Sequence, residues 1–274
     1  MRKFTVLATV SALALSLASG QAMAANVLGI EQLGTGNTVS AGQSGGDNQT
    51  YIKQHGNTSE AISSVIGYRN LNDTTQNGVD NGAYHTNNGS DNKAIITQNG
   101  AGSYAEVHHA GQFQLTSLEQ YGNQNSSIIT QSGEHNTVTV KQIQDAVAQG
   151  NDLTVEINGA YNGLLVSQVG ANSAYVGSTG QGNNVNVQQA NGGNYATQNY
   201  AEITSNGYFN TVGVAQNGES NESYVEQNAV SAIANIAQNG TGNYAAVAQT
   251  GAAGHTVSIT QSGNGNNITL TQND

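Results

Sequence analysis

Apolar and polar side chains alternate along this chain in a short unit that recurs from Asn26 to Gln272. The unit reads N-x-h-x-h-x-Q, where h is an apolar residue, and it stands in full at residues 136–142 and 266–272. A period of two places the opening Asn, both h residues and the closing Gln on one face of a β-strand. A short turn that contains Gly, as at 132–135, separates one strand from the next. The pattern predicts strand, turn and strand in succession along the whole chain.

The register of this unit is held over 22 copies. Seventeen of the 21 spacings between closing positions are eleven residues, and the exceptions fall at 142–157, 168–178, 189–205 and 249–261. Asn opens 17 units, Gln closes 16, and the second h position is Val, Ile or Leu in 18. So long an array leaves no room for a second domain, and we expect one repeat domain over residues 25–274.

A single strand of this kind cannot bury its two h residues, but two strands joined by a turn can set their inner faces together. Stacking such pairs predicts an all-β fold, a β-solenoid or cross-β stack of about 22 strands in 11 rungs, roughly 50 Å tall at the usual strand spacing. Inward amides can then hydrogen-bond from rung to rung as ladders, which satisfies donors and acceptors that would otherwise be buried unpaired. The candidate ladder residues are Asn37, Gln43, Asn92, Gln98, Asn125, Gln131, Asn136, Gln142, Asn162, Gln168, Asn210, Gln216, Asn221, Gln227, Asn243, Gln249, Asn266 and Gln272.

The first 24 residues have the three regions of a secretory signal peptide. A basic start (residues 1–3) precedes an apolar run (4–18) and an A-x-A cleavage site at 22–24. We expect cleavage after Ala24 and export of the mature chain. Two of the six basic residues leave with this segment, so the net charge of the mature chain becomes 4 − 17 = −13.

Composition excludes several classes of protein. The chain has no Cys, Pro or Trp, so it has neither a disulfide framework nor a thiolate metal site. A pI near 4.7 argues against a nucleic-acid partner, which requires a basic surface. His108 and His109 point to opposite faces of a strand, which disfavours a joint metal site. Asp145, Asp152 and Glu156 cluster around a long turn, but glycosidases of this architecture need aromatic platforms, and we expect no enzyme activity, metal or cofactor.

Two neighbouring units interrupt the apolar core pattern. Residues 70–76 offer Asn72 and Thr74 as their inward pair, and residues 81–87 offer Ala83 and His85. This stretch is the weakest part of the predicted core. It is either a gatekeeper that slows assembly inside the cell or neutral drift in a redundant array.

The repeat resembles that of the curlin family, the subunits of curli fibres, over almost the whole mature chain. The family form Q-x-G-x-x-N-x-h-x-h-x-Q stands here at 238–249 and again at 216–227. The resemblance implies a homopolymeric extracellular amyloid fibre of the biofilm matrix, active in adhesion and cell aggregation. It also implies secretion through the periplasm and a dedicated outer-membrane secretion pore, periplasmic accessory proteins, and a minor nucleator subunit at the cell surface. The acidic end of the chain is more like the major subunit than the nucleator.

Both ends of the predicted column match the repeat and carry no blocking device against edge pairing. The first unit offers Leu28 and Ile30, and the last offers Ile268 and Leu270, as self-assembly ends. Head-to-tail contact between such ends generates a filament because it does not close on itself. Two alternatives stay open at this point: a minor nucleator of the same fibre, and a monomeric β-solenoid surface adhesin or binder.

Overall fold

Twenty-two β-strands form the described part of the chain, and they lie in two parallel sheets. The computed structural model describes residues 25–144, 150–191, 197–252 and 254–273. The expected signal peptide (1–24) and Asp145 lie outside the described residues. Within the described ranges there is no helix with the length and apolarity that a membrane span requires.

The odd-numbered strands pair with one another in order and form the odd sheet. They are β1 (Val27–Leu33), β3 (Gln49–Asn57), β5 (Leu71–Val79), β7 (Lys93–Ala101), β9 (Leu115–Tyr121), β11 (Thr137–Ile143), β13 (Gly163–Val169), β15 (Asn184–Ala190), β17 (Thr211–Glu219), β19 (Ile233–Thr241) and β21 (Thr256–Asn264).

The even-numbered strands form the even sheet in the same way. They are β2 (Thr38–Gly46), β4 (Glu60–Tyr68), β6 (Gly82–Ser90), β8 (Tyr104–Gln112), β10 (Ser126–Glu134), β12 (Asp152–Ala160), β14 (Asn172–Gln181), β16 (Asn199–Tyr208), β18 (Glu222–Val230), β20 (Tyr244–Gly251) and β22 (Asn267–Asn273).

One odd strand and the even strand that follows it make a rung, and eleven rungs form a β-solenoid, as the repeat predicts. Each residue stacks on its equivalent two strands away, so Ile96 lies between Thr74 and Leu118. The longer connections do not disturb this register: Gln142 aligns with Gln168 across the segment 143–150. The stacking of equivalent positions is therefore kept on both sides of the irregular spacings.

The inner faces of the two sheets form one continuous core. Val, Ile, Leu and Ala occupy both h positions in most rungs, and their side chains are almost fully buried. Ile96, Leu118 and Val140 line the odd side, while Val107 and Ile129 line the even side, each 0–1% exposed. Burial of such a side chain stabilises the fold by about 1.5–3 kcal/mol, so the period-two pattern accounts for the main driving force.

The turns depend on two residues with positive φ. The first is the Gly at the second position after the closing residue, as at Gly100 with φ 147°. A Cβ at Gly100 would lie 1.8 Å from the carbonyl oxygen of Gly122 in the next rung, so only glycine fits at this position. The second lies directly before the opening Asn, where Asp80, Phe113 and Tyr161 have φ of 54–58°. Sequence reasoning missed this second position because its residues share no side-chain type.

Candidate assembly ends and the amide ladder

The odd sheet contains an unbroken ladder of glutamine side chains. In every rung the closing residue is Gln, and in all but the last its Nε2 donates to the Oε1 of the Gln one rung further on at 2.7–2.9 Å. The members are Gln32, Gln54, Gln76, Gln98, Gln120, Gln142, Gln168, Gln189, Gln216, Gln238 and Gln261. All ten bonds run in the same direction, which gives the ladder a polarity from the first rung to the last.

Apart from Gln32, each of these glutamines also ties the odd sheet to the even sheet. Gln98 is fully buried, and its Nε2 donates to the carbonyl oxygens of Gly82 at 2.9 Å and Ser103 at 3.1 Å as well as to Gln120. The Oε1 of Gln98 accepts from Gln76. Every polar atom of the side chain is therefore satisfied inside the core, as burial of an amide requires.

The even sheet lacks such a continuous ladder. Its closing position holds Val65, His109 and Ile157 among other residues, and amides stack on amides only at the far end. There Gln227 donates to Gln249 at 2.9 Å and Gln249 to Gln272 at 3.0 Å. Elsewhere Gln43 donates to the carbonyl of Val27 at 2.9 Å, and Gln131 to that of Leu115 at 3.2 Å. The buried Oε1 of Gln131 has no partner.

The opening asparagines bind backbone groups more than one another. The Oδ1 of Asn92 accepts from the backbone N–H of Gln114 at 3.0 Å, and its Nδ2 donates to the turn carbonyl of Gly111 at 3.0 Å. Each such Asn thus fixes the turn one rung further on. Asn37, Asn136, Asn162, Asn210, Asn221 and Asn243 make the same two contacts.

Asn125 and Asn266 depart from this arrangement. The Oδ1 of Asn125 accepts from the backbone N–H of Asn151 at 3.2 Å, while its Nδ2 donates to the carbonyl of Tyr121 within its own turn. Asn266 lies in the last rung, and its Nδ2 donates back to the Oδ1 of Asn243 at 2.9 Å. Direct Asn–Asn hydrogen bonds are thus present at some rungs. Nothing in the sequence pattern predicts the contacts that the opening Asn makes with backbone groups.

The interrupted units, and the units at 103–109 and 114–120, place polar side chains in the core. The Nε2 of His85 lies 2.8 Å from the Oγ1 of Thr74, and the Nε2 of His109 lies 2.8 Å from the Oγ1 of Thr116. The Nδ1 atoms of both histidines have no partner. Burial lowers the pKa of His85 to about 3, and burial together with the nearby His85 and His108 lowers the pKa of His109 to about 3. Both rings are therefore neutral at physiological pH.

The neighbouring His108 points outward, as period-two alternation predicts. Its Nε2 lies 2.6 Å from Glu106, whose carboxylate also accepts from the hydroxyl of Tyr104 at 2.6 Å. These contacts, with the hydrogen bond from Tyr104 as the larger cause, lower the pKa of Glu106. Within the described ranges, no group of three or more His, Asp or Glu side chains has metal-binding geometry.

The two ends of the column expose the inner face of the repeat. Leu28 and Ile30 in β1 are half-buried, because this strand has a neighbour on one side only. At the opposite end Ile268 is 36% exposed, and Leu270 is half-buried against the core. The ladder ends on complementary groups: Nε2 of Gln261 contacts only the carbonyl of Tyr244 within the described chain, and Oε1 of Gln32 accepts no hydrogen bond there.

These features define a repeat protein of the β-solenoid class, with stacking groups presented at both ends. The family model of the curlin associated repeat matches residues 115–143, which cover β9 to β11. The match supports membership of the curlin family, a family of structural proteins and not of enzymes. A search of curated proteins finds no match.

Proposed function

We propose that this chain is a secreted structural subunit that assembles end to end into an extracellular amyloid fibre of the curli kind. The observation that carries the proposal is the polarity of the glutamine ladder. One end of the column leaves an amide donor at Gln261 and the other leaves an acceptor at Gln32. A second copy placed on the last rung continues the ladder without a break, and Asn266 continues the asparagine contacts.

The apolar residues at the two ends fit the same junction. Continuing each sheet puts β21 against β1 of the next copy and β22 against its β2. Val257 and Ile259 then lie over Leu28 and Ile30, so branched apolar side chains meet their own kind. In the even sheet, Ile268 and Leu270 lie over the smaller Val39 and Ala41. The junction buries the half-exposed apolar surface of both ends.

The test replaces Ile268 and Leu270 with Lys, which places two charges in the proposed junction. We expect loss of elongation, because burying an unpaired charge costs far more free energy than the contact between the two ends provides. The matched control replaces Thr269 and Thr271, the outward neighbours on the same strand, with Lys. Elongation is followed by thioflavin T, and fibre diffraction of the product should show reflections near 4.7 and 10 Å. A normal elongation rate for the inward variant would show that this end does not template growth.

The resemblance to curli subunits extends the proposal to partners and location. The fibre would serve the biofilm matrix, adhesion and cell aggregation, with export through an outer-membrane pore, periplasmic accessory proteins and nucleation by a minor subunit. Diluting residues 25–274 from denaturant separates these roles. A lag followed by growth supports the major, fibre-forming subunit, whereas immediate growth that seeds another subunit supports the nucleator. A soluble β-rich monomer without dye response supports a monomeric surface binder instead.

A further inference from the structure

The outer face of the odd sheet carries a charge pattern that complements itself when reversed. The residue before each closing Gln points outward, and these residues stack in one column through the first six rungs. In order they are Glu31, Lys53, Thr75, Thr97, Glu119 and Lys141. Read backwards, this column places Lys opposite Glu and Glu opposite Lys at its four charged positions, and Thr opposite Thr in the middle. Two further charges on the face, Asp73 and Lys93, then lie opposite Ile95 and Leu71 of the second copy.

In the other five rungs of this face, β13 to β21, the only charged side chain among the outward positions of the described strands is Glu219, at the end of β17. Gly213 and Ala215 lie at the centre of this part, in rung nine. A Cβ at Gly213 would lie 2.7 Å from Oδ1 of Asn235, and Oδ1 of Asn186 on the other side is buried without a partner. A shallow groove runs along these small residues, and no side chain of the described chain covers it.

We propose that two filaments pair through the outer faces of their odd sheets, running antiparallel about a two-fold axis parallel to the strands. The proposal rests on the end-to-end filament described above. A two-fold between rungs three and four sets Glu31 against Lys141 of the second copy, and Lys53 against Glu119 of the second copy. Because the filament repeats every eleven rungs, a second two-fold must fall 5.5 rungs away, at rung nine. That rung is β17, where the groove is centred and Gly213 meets its own copy.

Other pairings of the same filaments fit less well. A two-fold along the fibre axis would reverse the strand direction and set Lys53 against Gln49 and Glu119 against Leu115 of the second copy, which makes no charge pair. The outer face of the even sheet is excluded by repulsion, because its strands carry eight carboxylates and no Lys or Arg among the described residues. They are Glu60, Glu106, Glu134, Asp152, Glu156, Glu202, Glu222 and Glu226.

The size of the face is adequate for a stable contact within a fibre. Eleven rungs of seven-residue strands present an area of roughly 50 by 20 Å, or about 1,000 Å² per subunit. A specific interface buries about 800 Å² on each partner. The contact then repeats with every subunit along both filaments. Paired filaments are therefore held together by many linked contacts, whereas two free monomers are held by one.

Charge-swap variants that keep the net charge test the pairing. The variant E31K/K53E exchanges two neighbours in one filament, so their in-chain contact, at 4.0 Å in the natural chain, is kept. Across the proposed interface it sets Lys against Lys and Glu against Glu. The variant E119K/K141E creates the same like-charge contacts through the other two charged residues. It leaves the contact between His55 and Glu31, at 3.0 Å, unchanged. The quadruple variant restores every cross-filament pair.

The readout is the mass per length of mature fibres, measured by dark-field scanning transmission electron microscopy. Fibre growth is followed in parallel by thioflavin T fluorescence. We expect two chains per eleven-rung length for the natural sequence, half that value for each double variant, and recovery in the quadruple variant. Fibres of the two double variants, grown separately and then mixed, should pair with each other. Unchanged mass in the double variants, or single natural filaments, would overturn the pairing alone. Absence of any filament would overturn end-to-end assembly and the pairing with it.

Discussion

The glutamine ladder of the odd sheet should contribute far more to stability than the glutamines of the even sheet. Replacing Gln98 with Leu keeps the side-chain volume but removes the bonds to Gly82, Ser103 and Gln120 and leaves the buried Oε1 of Gln120 without a donor. A buried polar atom left unpaired costs about 1–3 kcal/mol, and each further hydrogen bond contributes about 1 kcal/mol. After allowance for the gain from burying Leu, we expect a net loss of about 2–4 kcal/mol in the free energy of unfolding.

Gln131 is the matched control because it is equally buried and closes an even strand. Its only hydrogen bond, to the carbonyl of Leu115, is 3.2 Å long, and its Oε1 has no partner. Its neighbours in the stack are His109 and Ile157, so no amide loses a partner when it is replaced. Gln131→Leu should therefore change stability by no more than about 1 kcal/mol, because the lost bond and the removed unpaired oxygen offset each other.

Both variants can be compared in urea titrations of dilute, unassembled chain, followed by circular dichroism. The difference in midpoint at constant slope gives the difference in unfolding free energy. Equal effects of the two substitutions would refute the reasoning, because they would show that the ladder bonds add nothing beyond burial. A larger effect at Gln131 would refute it more strongly.

Three further predictions concern the turns and the polar rungs. The pKa of His85 and of His109 falls on folding from an ordinary value of 6.5 to about 3. The stability that the neutral rings contribute is therefore present above pH 6.5 and is lost as the pH falls from 6.5 toward 3. Replacing both with Val should make the free energy of unfolding depend less on pH between pH 7 and 4, and an unaltered dependence would contradict this. Gly100→Ala should destabilise the column by several kcal/mol in the same urea assay, whereas Gly242→Ala, where an added Cβ meets nothing within 4 Å, should cost only about 1 kcal/mol for its positive φ. Replacing Thr74 and His85 together with Val should shorten the lag of fibre growth, since two buried polar groups with an unpaired Nδ1 are replaced by apolar ones; an unchanged lag in thioflavin T traces would favour neutral drift at these rungs.

Most of the fold could be derived from the order of residues. The period of two fixed which side chains point inward, and the constant spacing of eleven residues fixed the stacking of equivalent positions. The assignment succeeds even at Asn72 and His85, where polar residues at h positions are buried as the register demands. Local propensity would not have placed these residues in a core, so the repeat as a whole decided the structure.

The contacts of the amides were harder to derive. The sequence pattern treats Gln43 and Gln98 alike, but stacking joins each unit to the second unit along, so the two belong to different sheets with different neighbours. Gln98 meets Gln120, whereas Gln43 meets Val65. Most opening positions follow a residue with positive φ, and residues as different as Asp80 and Tyr161 adopt it. No side-chain pattern marks that conformation.

The difference between the two sheets affects where the column can unfold locally. In a linear array each rung is stabilised mainly by its neighbours, so a weak rung would ordinarily divide the column into two independent parts. The polar rungs around Thr74 and His85 are such a place in the core, yet the ladder passes through them intact from Gln54 to Gln98. The ladder of the odd sheet therefore couples the rungs on either side, although the polar interruption lies in both sheets, with Thr74 in β5 and His85 in β6. Breaking the ladder at Gln76 should uncouple the first two rungs from the rest, because nothing in the even sheet replaces its bonds at that level.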